Sequence, residues 1–239
     1  MRQSSRIKGH AERFDSGFCV DWHRHREDQI AHASQGVMRI QAAGGMWIVP
    51  PGRALWIPRR ISHAIDCRGQ VHMRTVYLAG KECLPKRPIE VWQISSLMRE
   101  LILRFSDGSA LTNRTAMTEL LLAEMKRCRP LDLRLSMPAE TKLNTLCHCL
   151  LQHPGERRMM DHAARSLGLS PRTFTRRFRE STGLNFRQWR MQARLKRSIE
   201  TLQESHSVGQ AAYEAGYESV SAFTSAFRSV FGETPSKFT

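Results

Sequence analysis

No stretch of this 239-residue chain is apolar for long enough to cross a bilayer, so no membrane span is expected. The first ten residues, Met1 to His10, are polar and have no apolar centre, which predicts no secretory leader and a cytoplasmic setting. Cysteine is sparse: six residues, at 19, 67, 83, 128, 147 and 149, with no C-x-x-C pair. That spacing argues against a disulfide framework and against a four-cysteine zinc site in the front half; reduced thiols are expected. Cys147 and Cys149, two apart on an expected helix, point in different directions and make a poor metal clamp. Acid is short as well. Twenty-two Asp and Glu stand against 37 Lys and Arg, a formal charge of +15 that favours an anionic partner. The excess is not confined to one half: residues 156–239 hold 14 basic and 8 acidic side chains. Charge alone therefore does not locate an interface, and a motif has to.

Residues 14 to about 80 read as short strands. Gly36 to Gln41 alternates with Met38 and Ile40 on one face, Gly44-Gly45 marks a turn, and Met46 to Val49 follows. Pro50, Pro51 and Gly52 break that strand before Ala54 to Ile57, and His63–Cys67 and Val71–Leu78 continue the series. Strands this short, punctuated by Gly and Pro, predict a small antiparallel barrel or sandwich. From about residue 90 the spacing turns helical, with Val91, Ile94, Met98, Leu101, Ile102 and Phe105 in one stripe. Met117, Leu120, Leu121, Glu124 and Met125 predict a second, antiparallel helix that either packs on the barrel or forms a dimer seam. Two prolines between Arg129 and Pro138 predict a linker. After Glu140 everything reads as helix: Leu143, Leu146, Leu150 and Leu151 share a face, Pro154-Gly155 ends that helix, and Asn185 to Gln203 forms a longer one.

A single pattern occurs twice within this helical region. Ala164, Gly168, Phe174, Phe178 and Gly183 form the first copy; Ala212, Gly216, Phe223, Phe227 and Gly232 form the second, with one extra residue after its first Gly. A helix-turn-helix needs a small residue where its helices cross, which Ala supplies. Its turn takes up a left-handed conformation that Gly adopts freely. The second helix needs an apolar inner face, here the two Phe. Ser170-Pro171 is a capping Ser followed by Pro in the first turn. What stays exposed is a reading face: Arg172, Thr173, Thr175, Arg176 and Arg179 in the first copy, and Val220, Ser221, Thr224, Ser225 and Arg228 in the second. Arg pairs bidentately with guanine in the major groove, and Thr can hydrogen-bond or touch a thymine methyl. The second set is less basic and is expected to rely more on phosphate contact and DNA shape. The plainer alternative is a helical bundle that only packs; two copies 48 residues apart argue for DNA.

These residues carry a family resemblance. Ser170–Phe178, Phe186–Arg194, Ala211–Tyr217 and Phe231–Phe238 make residues 142–239 resemble the DNA-binding domain of AraC/XylS-type bacterial transcription regulators. The resemblance implies two helix-turn-helix units joined by the central helix, each placing a recognition helix in one of two successive major-groove segments. It puts base-reading positions at Arg172, Thr175 and Arg176, then at Val220, Ser221, Thr224 and Ser225. It also implies a front barrel that senses a small molecule or pairs subunits; Trp22, Trp47 and Trp56 could wall a pocket there or equally be plain core.

The front barrel resembles a cupin. His23 and His25 form an H-x-H pair, which on a strand places both imidazoles on one face, as a metal site requires. Gly36 matches the end of the first cupin motif, but Gln29 stands where that motif has Glu. Pro58 and His63 match the second, but Arg60 stands where it has Gly. His23, His25, Gln29 and His63 are therefore the candidate metal or effector pocket. No cofactor is required by the leading reading; a divalent metal at His23, His25 and His63 is the alternative.

The expected fold is α+β. Residues 1–129 form a cupin-like antiparallel β-barrel (about 14–80) with a helix pair (about 90–128). Residues 130–141 are a linker, and 142–239 an all-α domain with helix-turn-helix units at 161–182 and 209–232. The expected function is a non-enzymatic, sequence-specific transcription regulator, activator or repressor. Its expected partners are double-stranded promoter DNA and a small-molecule effector, with RNA polymerase and a second copy of the chain as further candidates. The alternative is a metal-dependent cupin enzyme with a helical accessory domain.

Overall fold

Alternating apolar residues draw the front of the chain into strands. The computed structural model describes residues 7–79, 87–108, 112–152 and 160–239. In order come β1 (Ile7–Phe14), β2 (Cys19–His23), β3 (Asp28–Ala42), β4 (Gly45–Val49), β5 (Arg53–Ile57), β6 (His63–Leu78) and β7 (Glu90–Gln93). Then follow α1 (Ser96–Ser106), α2 (Arg114–Arg127), β8 (Arg129–Leu131) and β9 (Arg134–Ser136). The sheet runs β1-β6-β3-β5-β7-β8, with β2 on β6 and β4 on β3. The pairings with β6 and β5 are antiparallel.

Register decides what each face does. Ile30 lies beside Trp56 and Val76, and one residue back Gln29 lies beside Ile57 and Tyr77. Because side chains alternate across a strand, these two sets face opposite sides of the sheet. The first set packs with Ile7 and Trp92 against Met98, Leu101, Ile102 and Phe105 of α1 and Leu121 and Met125 of α2. Gly9 of β1 sits directly under α1, where a Cβ would come within 1.9 Å of the Phe105 carbonyl oxygen. Trp56 stacks on Trp92 with ring centroids 5.3 Å apart, and Trp47 is buried while Trp22 is exposed. Of the three tryptophans read as pocket wall or plain core, Trp47 and Trp56 are core and Trp22 faces solvent. The second set, with Gln29 and Tyr77, faces away from the helices.

Three local differences from expectation have simple causes. The strands begin at Ile7 rather than at 14, because β1 pairs along β6 from Leu78 back to Val71. Val91 belongs to strand β7 rather than to the helical stripe, and the helix starts only after Ser95, whose hydroxyl accepts from the Met98 amide at 3.0 Å. A short apolar run fits either period, and an open partner on β5 decided it. Residues 129–136, read largely as linker, contain β8 and β9. Pro130 sits in the last strand of the sheet order, where a missing N–H costs little.

The chain divides into two compact units, Met1–Ala42 with Trp47–Leu133 and Ala43–Met46 with Arg134–Thr239. The second holds α3 (Thr141–Gln152), α4 (Met160–Ser166), α5 (Pro171–Thr182), α6 (Phe186–Ser205), α7 (Val208–Glu214) and α8 (Val220–Phe231). The helix stop expected at Pro154-Gly155 lies outside the described residues. Helix α6 is the axle: α3, α5, α7 and α8 all pack on it. It opens with a reciprocal cap, Asn185 Oδ1 accepting from the Gln188 amide at 2.9 Å and Gln188 Oε1 accepting from the Asn185 amide at 3.2 Å. Trp189, Leu195, Ile199 and Leu202 line its buried side. Among the described residues the cysteines are free thiols; burial pushes Cys67 and Cys128 up to about 12, and Cys147 is buried while Cys149 faces solvent. Neither Cys67, Cys128 nor Cys147 is poised to react.

Candidate functional site

Both copies of the repeated pattern fold as helix, turn, helix. In the first, α4 and α5 flank Gly168 at φ +67°; in the second, α7 and α8 flank Gly216 at φ +72°. Ala164 and Ala212 are buried at the crossings, and Phe174, Phe178, Phe223 and Phe227 are fully buried. The helices are started by serines. Ser170 Oγ accepts from the Thr173 amide at 3.2 Å, and Ser219 Oγ accepts from the Ala222 amide at 3.2 Å. The Ser170→Ala variant is expected to lose about 1 kcal/mol of stability. Urea melts monitored by circular dichroism would show it, and a loss near zero would mean the cap contributes nothing.

With the phenylalanines rooted, one side of each second helix is left to solvent. Arg172, Thr175, Arg176 and Arg179 are exposed on α5, as are Val220, Ser221, Ser225 and Arg228 on α8, with Thr224 half-buried. Arg172, Thr175, Arg176 and Arg179 line one shallow groove together with Met160 and Glu180. Local bonds already hold some of these groups. Arg176 pairs with Glu180 one turn on, at 3.1 Å. The Thr175 hydroxyl donates to the Pro171 carbonyl at 2.9 Å. Thr173 is half-buried, and its hydroxyl bonds Ser170 at 2.9 Å, so it serves the cap first. Sequence reasoning missed a clasp on the second unit. Arg194 of α6 donates to the carbonyls of Ala215 and Gly216, and its guanidinium lies 4.9 Å from the Tyr217 ring centroid. This satisfies carbonyls at the end of α7, which helix geometry leaves open. A contact 21 residues away leaves no periodic trace in the sequence.

The front unit gathers the three histidines. His23 ends β2 and His63 begins β6, and the two are cross-strand partners; His25 follows two residues later. Ring centroids are 4.3 Å apart for His23–His63, 4.9 Å for His23–His25 and 5.4 Å for His25–His63. One ring nitrogen from each lies within 4.8 Å of the other two. His23 Nδ1 bonds the Asp21 carbonyl at 2.7 Å, and His63 Nδ1 bonds the Ile61 carbonyl at 3.0 Å. A carbonyl only accepts, so each Nδ1 carries a proton, and in a neutral ring Nε2 is then the atom with the lone pair. Burial pulls His63 down to about 4, and burial followed by the neighbouring His23 lowers His25, so both rings are neutral near pH 7. Gln29 lies opposite Tyr77, whose ring stands 4.8 Å from that of His25. The pairing places Gln29 on the triad's side of the sheet, and its buried Oε1 has no hydrogen-bond partner.

The position that departs from the second cupin motif is informative too. Arg60 keeps a glycine-like φ of +64°, and its amide donates to the His25 carbonyl at 2.8 Å. Arg59 beside it is clamped to buried Asp28, amide to Oδ1 at 2.7 Å and guanidinium to Oδ2 at 2.8 Å. The turn that delivers His63 is therefore tied both to His25 and to β3. The donor set, three imidazole nitrogens, fits a borderline divalent ion such as zinc, cobalt or nickel. An ion with bonds of about 2.0–2.1 Å would draw the rings together.

Residues 7–123 match the family model for an AraC-like ligand binding domain, and residues 163–239 match that for a helix-turn-helix domain. The chain is 27% identical over 220 residues to the HTH-type transcriptional regulator NimR of Escherichia coli, covering 90% of this chain and 81% of NimR. It is 33% identical over 103 residues to the HTH-type transcriptional regulator RipA of Corynebacterium glutamicum, covering 43% of this chain and 31% of RipA. A structure of ToxT from Vibrio cholerae superposes with a TM-score of 0.42 at 10% identity, covering 98% of each chain.

Proposed function

The chain belongs to the AraC family of transcription regulators, with a ligand-binding domain ahead of a helix-turn-helix DNA-binding domain, and from that premise we propose how it works. Helix α5 meets promoter DNA through Arg172, Thr175, Arg176 and Arg179, with Thr173 holding its N-terminus. Helix α8 meets it through Val220, Ser221, Thr224, Ser225 and Arg228. The observation that supports this is the pair of exposed faces, each rooted by two buried phenylalanines and begun by a capping serine. Arginines on α5 give it the stronger base readout. On α8, Val220 offers only apolar contact, suited to a thymine methyl.

The front domain binds the effector, and the effector changes the balance between DNA-binding and non-binding arrangements by binding one of them more tightly. Regulation, not catalysis, is the activity that the matching family models and the regulator relatives support. Leu97 on α1 and Leu120 on α2, each 47% exposed, support a pairing seam for a homodimer, and RNA polymerase is the partner through which a bound activator would act. No described helix is long and apolar enough to cross a membrane; a cytoplasmic location is the setting in which promoter DNA is met.

The test is a footprint on genomic fragments recovered with the protein. Protection should fall on one face of the duplex in two successive major-groove segments, about 10 base pairs apart per monomer. A single protected segment would leave α8 without a reading role.

A further inference from the structure

We infer that His23, His25 and His63 hold one late first-row divalent metal ion, and that this ion is the ligand whose binding alters promoter affinity. The inference rests on the reading of the front domain as the regulatory one.

Three segments converge on the point: the end of β2, the residues just after it, and the start of β6. Two of the rings are tethered through Nδ1 to main-chain carbonyls, which fixes the tautomer and turns Nε2 inward, the second-layer arrangement metal-binding imidazoles use. Nε2 of both His25 and His63 is buried with no hydrogen-bond partner. Unpaired buried acceptors are costly, so something is expected to meet them. One water could donate to both of these; what favours a cation is the third imidazole, with one ring nitrogen of each histidine within 4.8 Å of the other two, so that a single ion could take three ligands at once.

The donor chemistry narrows the ion. Magnesium and calcium take oxygen ligands, whereas imidazole suits zinc, copper, nickel, cobalt and iron. Gln29 and Tyr77 share that face of the sheet, and the buried Gln29 Oε1 has no hydrogen-bond partner. With no carboxylate in the cluster, the charge of the ion is left for an outer group, and Glu27 is the acidic side chain whose field reaches His25. The same ion would pin the 58–63 turn, already fastened to His25 through Arg60 and to β3 through Arg59. Its binding therefore orders a strand end, a connection and a turn together, which is what a ligand needs in order to favour one conformation over another.

The test uses the full chain without a polyhistidine tag. After chelation and dialysis it is titrated with Co2+ and with Zn2+, the metal content is read by mass spectrometry and the Co2+ ligand-field bands by visible absorption. Promoter affinity is measured in parallel with and without metal. The inference expects about one equivalent of metal, nitrogen-rich tetrahedral or five-coordinate bands, and a promoter affinity changed by at least about fivefold. His23→Ala and His25→Ala should abolish both. His10→Ala, an exposed histidine beside Glu12 and outside the triad, should change neither. Because His63 is fully buried, His63→Asn is judged only alongside its melting curve. A folded, promoter-binding chain that takes up no stoichiometric metal overturns the inference and leaves the regulator standing. One equivalent bound with promoter affinity unchanged overturns the ion's role as signal. One equivalent bound by a chain that binds no DNA supports the site and instead refutes the promoter reading.

Discussion

Arg176→Ala should weaken binding to the cognate promoter by about 1–3 kcal/mol and relax sequence preference at one position of the site. The expectation comes from where Arg176 stands. It is exposed on α5, two residues before the fully buried Phe178, so its backbone is held while its guanidinium can reach outward. In the unbound protein it rests on Glu180, with Nη1 at 3.1 and 3.2 Å from the two carboxylate oxygens. Exposed pairs spaced i,i+4 contribute only about 0.3–0.5 kcal/mol, so releasing Glu180 costs little beside a bidentate contact to guanine. With α5 in the groove, Glu180 would also bring negative charge close to the phosphates. Glu180→Gln should therefore raise affinity a few-fold on promoter and unrelated DNA alike. Anisotropy titrations on promoter and scrambled duplexes at one fixed salt concentration separate the effects, because salt alone changes affinity by orders of magnitude. Equal weakening of Arg176→Ala on both duplexes would reassign that side chain to a phosphate.

The features of this molecule that were legible in the sequence are those whose causes are local. Gly168 and Gly216 announce left-handed turns because few other residues enter that region, and the Phe pairs announce inner faces through their spacing of four. His23 and His25 were visible as an H-x-H pair, although β2 ends at His23 and His25 lies just beyond the strand. His63, 38 positions beyond His25, was visible only through resemblance, and the β2–β6 pairing is what brings it to them. Three features were hidden, for different reasons. Strand β7 has four residues, too few for a period of 2.0 to be told from one of 3.6. Strands β8 and β9 lie in a stretch whose prolines signal a loop, and only a sheet edge makes Pro130 tolerable. The Arg194 clasp and the Arg60 amide bond to His25 are contacts between side chain or amide and distant backbone, which no composition or periodicity records. Arg60 also shows why a motif departure can mislead: the residue type changed while the glycine-like backbone stayed.

Phe178→Ala should cost about 3–5 kcal/mol and abolish promoter binding on every sequence, a different failure from that of Arg176→Ala. Phe178 is fully buried where α5 meets α6. Its ring stands edge-on to Phe186 at 5.3 Å and to Trp189 at 5.8 Å, and tilted against Phe174 at 5.5 Å. Each such aromatic pair contributes about 0.5–1.5 kcal/mol beyond the burial of area, so truncation removes three contacts and leaves a cavity. Trp189 does not move in to fill it, because its indole N–H is anchored to the Ser136 carbonyl at 2.7 Å. A domain is stable by about 5–15 kcal/mol in all, so a loss of this size takes a large share and loosens α5 from its axle. A reading helix that is not held cannot present Arg172, Arg176 and Arg179 in one register, and their charges then give only weak contact with any duplex. Phe178→Leu, which keeps most of the volume, should retain both fold and binding at a smaller cost. Calorimetry on the full chain, with anisotropy on the promoter, decides the matter. A Phe178→Ala protein that melts like the parent and still prefers its promoter would show that α5 is not rooted on α6 through this ring, and the arrangement of the reading faces drawn from it would fail.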